Sequence, residues 1–220
     1  MTSKTDWLPD DLHAYLLRVG VRETELLRRL RDETAAIPQH NMQIAPEQGA
    51  FMALLVELIG ARRCIELGTF TGYSSLCVAI ALPPGGEIVC CDVSSEWTDI
   101  ARRYWDAAGV SDRVTLRLQP ALLTLDELLA RGDENSFDFA FVDAVKSEYP
   151  AYYDRLLQLL RPGGLMVWDN VFWEGEVIRP EVDDADVRGI RELNEALAGD
   201  PRVSISMLPV ADGLTLVRKR

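Results

Sequence analysis

Histidine and cysteine are scarce in this 220-residue sequence, at two and four residues. Cys64, Cys77, Cys90 and Cys91 lie inside apolar runs without CxxC spacing. The sequence therefore encodes neither a zinc ribbon nor a thioredoxin-type redox pair. Neighbouring Cys90 and Cys91 would point to opposite faces of a strand. Four buried thiols predict a reducing, cytoplasmic setting. No window approaches the roughly 18 apolar residues of a membrane span, and MTSKTDWLPDDLHAYLL lacks a signal-peptide core, so a soluble protein is expected. Basic residues are also in short supply. Lys plus Arg number 23 against 35 Asp plus Glu, a net charge of −12, which repels phosphate backbones and makes nucleic acid an unexpected partner.

What is present is a sizeable core, with 48% of residues hydrophobic. Leu12, Tyr15, Leu16 and Val19, then Leu26, Leu27 and Leu30, recur at helical spacing and predict two leading helices. Pro46 suits a first helical turn and opens a third helix, PEQGAFMALLVELIG. From RRCIEL onward, short apolar runs alternate with amphipathic stretches, the pattern of parallel strands joined by right-handed crossovers. The last two strands, VSISML and LTLVRK, flank a turn at Ala211-Asp212-Gly213 and read as an antiparallel pair. The expectation is an α/β fold: a doubly wound, Rossmann-like, mostly parallel seven-stranded sheet with extra N-terminal helices. Residues 1–220 read as one domain, with 1–45 a helical extension and 46–220 the core.

Ligands of such sheets bind beyond the carboxyl ends of the strands. The first strand ends in Glu66-Leu67-Gly68-Thr69-Phe70-Thr71-Gly72-Tyr73-Ser74. Gly68 and Gly72 permit a tight turn and a close approach of ligand to backbone. Phe70 stands where a dinucleotide fingerprint needs its second glycine, which disfavours NAD. Asp92, at the end of the second strand, suits the hydroxyls of a ribose. Taken singly, Gly68 reads as a loop glycine, Glu66 as a rim charge and Asp92 as part of a helix cap; together they favour a nucleoside.

ELGTFTGYSSL, CDVSSEWTDIARRYWDAAGV, FDFAFVDAVK, LLRPGGLMVWDNVFWEG and LPVADGLTLVRKR resemble the cation-dependent S-adenosylmethionine O-methyltransferases, the class of catechol and caffeoyl-CoA O-methyltransferases and their bacterial relatives. The resemblance runs from Met42 to the C-terminus. It implies S-adenosylmethionine with its methionine portion near Glu66, Gly68 and Ser74, its ribose on Asp92, its adenine near Pro120 and Ala121, and Met42 and Ile44 flanking the sulfonium, with Asp143 also at the cofactor. Similar proteins are commonly homodimers.

The fourth strand ends at Asp143 and the fifth at Asp169-Asn170. In a doubly wound order these ends are neighbours, so two carboxylates and an amide converge, and a hard divalent cation would neutralise them. On spacing alone, a turn at Asp169-Asn170 and an ion pair between Asp143 and Lys146 read equally well. The resemblance implies that Asp143, Asp169 and Asn170 hold Mg²⁺, or Mn²⁺ or Ca²⁺. It also implies that Lys146 receives or steers the proton of a catechol hydroxyl. Val171-Phe172-Trp173-Glu174-Gly175, with Trp168, is expected to line a pocket for a flat phenolic acceptor, Trp173 foremost. An equal reading buries Phe172 and Trp173 against a partner subunit.

Two positions depart from the resembled pattern: Val145 replaces the second acid of D-A-D-K, and Thr215 stands where catechol methyltransferase carries a substrate-orienting glutamate. No Asn/Asp-Pro-Pro-aromatic element follows the fourth strand, which argues against methylation of nucleobase amines. The remaining alternatives are a protein that binds S-adenosylmethionine without catalysis and a methyltransferase of a non-catechol acceptor. His13 and His40 read as surface or loop residues. Glu181, Asp183, Asp184 and Asp186 read as a solvated loop and helix start.

Overall fold

A computed structural model describes residues 8–220. Helices α1 (Asp10–Gly20), α2 (Glu25–Thr34) and α3 (Pro46–Leu58) lead the chain. Strands β1 (Arg63–Leu67), β2 (Glu87–Asp92), β3 (Val114–Leu118), β4 (Phe137–Val142) and β5 (Leu160–Trp168) then alternate with α4 (Tyr73–Ala81), α5 (Ser95–Ala107), α6 (Ala121–Ala130) and α7 (Tyr149–Leu159). Helix α8 (Ala185–Gly199), β6 (Val203–Leu208) and β7 (Leu214–Lys219) close the chain. The sheet order is β3-β2-β1-β4-β5-β7-β6. Strands β1 to β5 pair in parallel, and β7 is antiparallel to both β5 and β6.

Strand residues alternate between two cores. Ile65, Leu67, Cys91, Ala140, Val142, Met166 and Trp168 face α6, α7 and α8. Cys64, Cys90, Phe139, Phe141 and Val167 face α3, α4 and α5. Both faces are covered, which is why the strands read as nearly unbroken apolar runs. Cys90 and Cys91 do fall on opposite faces, and all four thiols are buried. Among the described residues no helix is long and apolar enough to cross a membrane.

The strand order reverses between β1 and β4, the neighbours that run out to opposite edges of the sheet. A crevice opens at the carboxyl ends of the strands at that point.

Candidate active site

A cavity of about 520 Å³ occupies this crevice, with Gly68, Asp92, Pro120, Ala121, Asp143 and Lys146 on its walls. Met42, Ile44, Ser74 and Trp173 also line it.

Gly68 sits at φ +87°, and a Cβ there would come within 2.1 Å of the Asp143 carbonyl oxygen. The close approach that requires glycine is therefore that of the β4 backbone end, not that of a ligand alone. Gly72, at φ +88°, would place a Cβ 2.5 Å from Ala101 Cβ, so it lets α4 lie against α5. No side chain caps the α4 N-terminus, which leaves amide donors facing the cavity beside Ser74.

Asp92 organises the loop as well as facing the cavity. Its Oδ2 accepts the Thr69 and Phe70 N–H groups at 3.0 and 2.7 Å, and its Oδ1 accepts the Ser94 N–H at 2.8 Å. The cap of α5 is Ser94, whose hydroxyl oxygen accepts from the Trp97 N–H, and Asp92 belongs to the same N-cap region through the Ser94 N–H. Phe70 adopts φ +51°, and its ring meets Trp97 edge-on at 5.1 Å.

Glu66 is fully buried and is not itself among the residues lining the cavity, and neither carboxylate oxygen has a hydrogen-bond partner among the described residues. Burial raises its carboxyl from 4.5 to about 8, against the opposing pull of the nearby Ser74 and Thr69 hydroxyls. The rim-charge reading of Glu66 does not hold. A buried acid that has, among the described residues, only two hydroxyls nearby and no cation to balance it is suited to a cationic ligand group.

On the other wall, Lys146 Nζ stands 2.5 Å from Asp143 Oδ1, with 4% and 13% of the two side chains exposed. The lysine is held down by α8. Gly189 packs directly on its backbone, where a Cβ would lie 2.3 Å from the Lys146 carbonyl oxygen. The Ser147 N–H donates to Asp186 Oδ1 at 2.9 Å. Asp186 thus belongs to the site, whereas Asp184 caps α8 as a helix start should.

The register Val142↔Trp168 brings the next residues, Asp143 and Asp169, side by side. Asp169 is 3% exposed. Its Oδ1 accepts the Asn170 N–H and its Oδ2 accepts the Gln48 amide, both at 2.7 Å. Burial, then the charge of Asp143, pushes the Asp169 carboxyl up. Asn170 is left-handed at φ +56°, and its buried Oδ1 has no partner. Its amide nitrogen lies 3.5 Å from Asp212 Oδ2, while Asp212 Oδ1 accepts the Glu174 N–H at 2.8 Å. Burial raises the Asp212 carboxyl as well.

Three expectations are corrected. Trp168 does not line the pocket: it is fully buried in the core, edge-on to Tyr149 at 5.1 Å. Phe172 packs on the turn at Gly213, where a Cβ would come within 2.6 Å of its ring; of this segment Trp173 reaches the cavity. His13 is not a surface residue, since its Nε2 meets Glu47 Oε1 at 2.9 Å with 12% of its side chain exposed. Thr215 is fully buried in β7 and does not line the cavity. The sequence reading missed Gln48, whose partner lies 121 residues away. It also read Asp212 only as part of a turn.

A sequence profile described as O-methyltransferase matches residues 18–220. The chain belongs to the O-methyltransferase family. Catechol O-methyltransferase domain-containing protein 1 of Mus musculus is 47% identical over 213 residues, covering 96% of this chain and 81% of that protein. Caffeoyl-CoA O-methyltransferase of Eucalyptus gunnii is 42% identical over 220 residues, covering 96% and 88%. Among solved structures, the O-methyltransferase of Bacillus cereus in complex with SAH is 36% identical with a TM-score of 0.88, covering 96% of this chain and 97% of that one. TomG of Streptomyces achromogenes, in complex with SAM, is 34% identical with a TM-score of 0.88, covering 100% and 99%. The protein is an S-adenosylmethionine-dependent O-methyltransferase. The orphaned Glu66 carboxylate, the uncapped α4 and the cavity face of Asp92 fit an ammonium, a carboxylate and a ribose respectively.

Proposed function

We propose that this O-methyltransferase methylates one hydroxyl of a catechol-type small molecule and that it does so with a divalent cation held by Asp143, Asp169 and Asn170. The observation that carries the reading is the meeting of two carboxylates at adjacent strand ends beside a buried, unpartnered Asn170 Oδ1. Among the described residues that oxygen has no donor, and Lys146 offsets only one of the two neighbouring carboxylates, so the site keeps a negative charge that a cation would neutralise. An all-oxygen set suits Mg²⁺, Mn²⁺ or Ca²⁺. When bound, such a cation supplies Lewis acidity that favours ionisation of a phenolic hydroxyl.

The remaining roles fall to side chains of this chain. Lys146 takes up the hydroxyl proton or passes it to solvent. Its position on Asp143, fixed by Gly189 and Asp186, sets where that hydroxyl must lie. Trp173, whose ring centroid is 6.0 Å from Lys146 Nζ, offers a flat apolar wall to the aromatic ring. The phenolic oxygen then forms its bond to the methyl carbon as the carbon–sulfur bond breaks, leaving S-adenosylhomocysteine. Placement and charge, rather than a covalent enzyme intermediate, account for the catalysis.

The test is incubation with S-adenosylmethionine, Mg²⁺ and a panel of catechols, monophenols and amines. Monomethylated catechols are expected, and their formation should cease with EDTA and return with added Mg²⁺. Turnover of monophenols or amines alone, or turnover indifferent to chelation, would contradict the reading. Cofactor binding without any turnover would favour a protein that binds S-adenosylmethionine without catalysis.

A further inference from the structure

Gln48 is fully buried in the first turn of α3, far in sequence from every strand end that builds the cavity. Its Nε2 donates to Asp169 Oδ2 at 2.7 Å. The direction of the amide is fixed by chemistry, since the reverse orientation would set Oε1 against a carboxylate. Its Oε1 is buried and has no partner among the described residues. A buried amide with one end unsatisfied is destabilising, so apolar packing does not explain a glutamine here.

The backbone around Gln48 is held from three sides. Gly49 lies so close to α4 that a Cβ would come within 2.8 Å of Cys77 Sγ and 2.9 Å of the Tyr73 ring. Glu47 pairs with His13 of α1. Pro46 occupies the first turn of the helix, where its fixed φ costs nothing. A side chain projecting from so fixed a backbone can hold the carboxylate it touches in one orientation.

Asp169 would otherwise be free to turn about its own side-chain bonds. With Oδ1 on the Asn170 N–H and Oδ2 on the Gln48 amide, its carboxylate plane is fixed. Each oxygen keeps a second lone pair.

We propose that Gln48 is a positioning residue for the cation: from α3 it orients the Asp169 carboxylate, so that the leading helices, not only the strand ends, set the affinity of the site for its dication. This rests on the reading that Asp143, Asp169 and Asn170 bind a divalent cation. Outer contacts of this kind are worth about 10- to 100-fold in metal affinity.

The experiment is titration of the full-length protein with Mn²⁺, followed by electron paramagnetic resonance of the free ion, for wild type, Gln48→Leu and Gln48→Met. S-adenosylhomocysteine affinity and thermal midpoint are measured on the same samples. The expected result is a rise of about 10-fold or more in the Mn²⁺ Kd of both variants, with cofactor affinity unchanged. Unaltered Mn²⁺ affinity in either folded variant overturns the role of Gln48. Parallel loss of Mn²⁺ and cofactor affinity also overturns it, because it marks a merely structural residue. Failure of the wild-type protein to bind Mn²⁺ overturns the underlying cation reading instead.

Discussion

Lys146 Nζ and Asp143 Oδ1 are 2.5 Å apart in a cavity where, among the described residues, the carboxylates of Asp92, Asp143, Glu148 and Asp186 surround this one lysine. The pair places the proposed proton acceptor on one of the three residues proposed to hold the cation.

Lys146→Met should reduce kcat by about 10²- to 10⁴-fold, the usual worth of a positioned acid–base group. S-adenosylhomocysteine affinity, read by calorimetry, should stay the same. The variant also leaves a largely buried acid unpaired, which lowers the unfolding free energy by about 3 kcal/mol. Undiminished kcat would remove Lys146 from the mechanism.

Gly68→Ala should both destabilise the fold and weaken the cofactor. Its φ of +87° disfavours any side chain, and the added methyl would meet the Asp143 carbonyl oxygen at 2.1 Å. Left-handed strain alone costs about 1–2 kcal/mol. Urea unfolding should therefore show a loss of at least about 2 kcal/mol once the clash is included. A variant as stable as wild type would show that the β1 and β4 ends are not packed this way.

Glu66 should couple cofactor binding to a proton. Burial lifts its carboxyl from 4.5 to about 8 in the folded protein, so between those values the native state holds a proton that the unfolded chain has released. Its contribution to stability is complete below pH 4.5 and is lost as the pH rises toward 8. Glu66→Gln has no such slope, and its stability relative to wild type should improve between pH 5 and pH 8. An ammonium beside Glu66 favours the carboxylate, so S-adenosylhomocysteine binding near pH 7 should release a proton, measurable by calorimetry in buffers of different ionisation enthalpy. No proton release, with matching pH slopes, would contradict this placement.

Free catechols should be better acceptors than their coenzyme A thioesters. The cavity wall is acidic and the chain carries a net −12, which opposes a ligand bearing phosphates. A kcat/KM favouring the thioester, and falling with added salt, would reverse the assignment of acceptor.

The strand ends were legible because their signals are local. An apolar run followed by an acid marks Asp92, Asp143 and Asp169 without any knowledge of neighbours. The alternation within β5 was also available, and it explains the error at Trp168. Adjacent residues in a strand face opposite ways, so an aromatic residue directly before a site acid is directed into the core beside the sheet rather than to the strand end. There the indole contributes on the order of 4 kcal/mol by burial instead of touching an acceptor. Gln48 was illegible, because a lone glutamine on a helix gives no sign of a partner 121 residues distant. The need for glycine at position 68 was visible, but its cause was not: the crowding atom belongs to Asp143, on a strand that only the topology brings alongside.

The central claim is the cation at the adjoining ends of β4 and β5. Anomalous diffraction from crystals soaked in Mn²⁺ and S-adenosylhomocysteine tests it most directly. A peak is expected within coordinating distance of Asp143, Asp169 and Asn170, and absent from Asp169→Ala crystals treated identically. Fully soaked wild-type crystals with no peak among those three side chains would contradict the account.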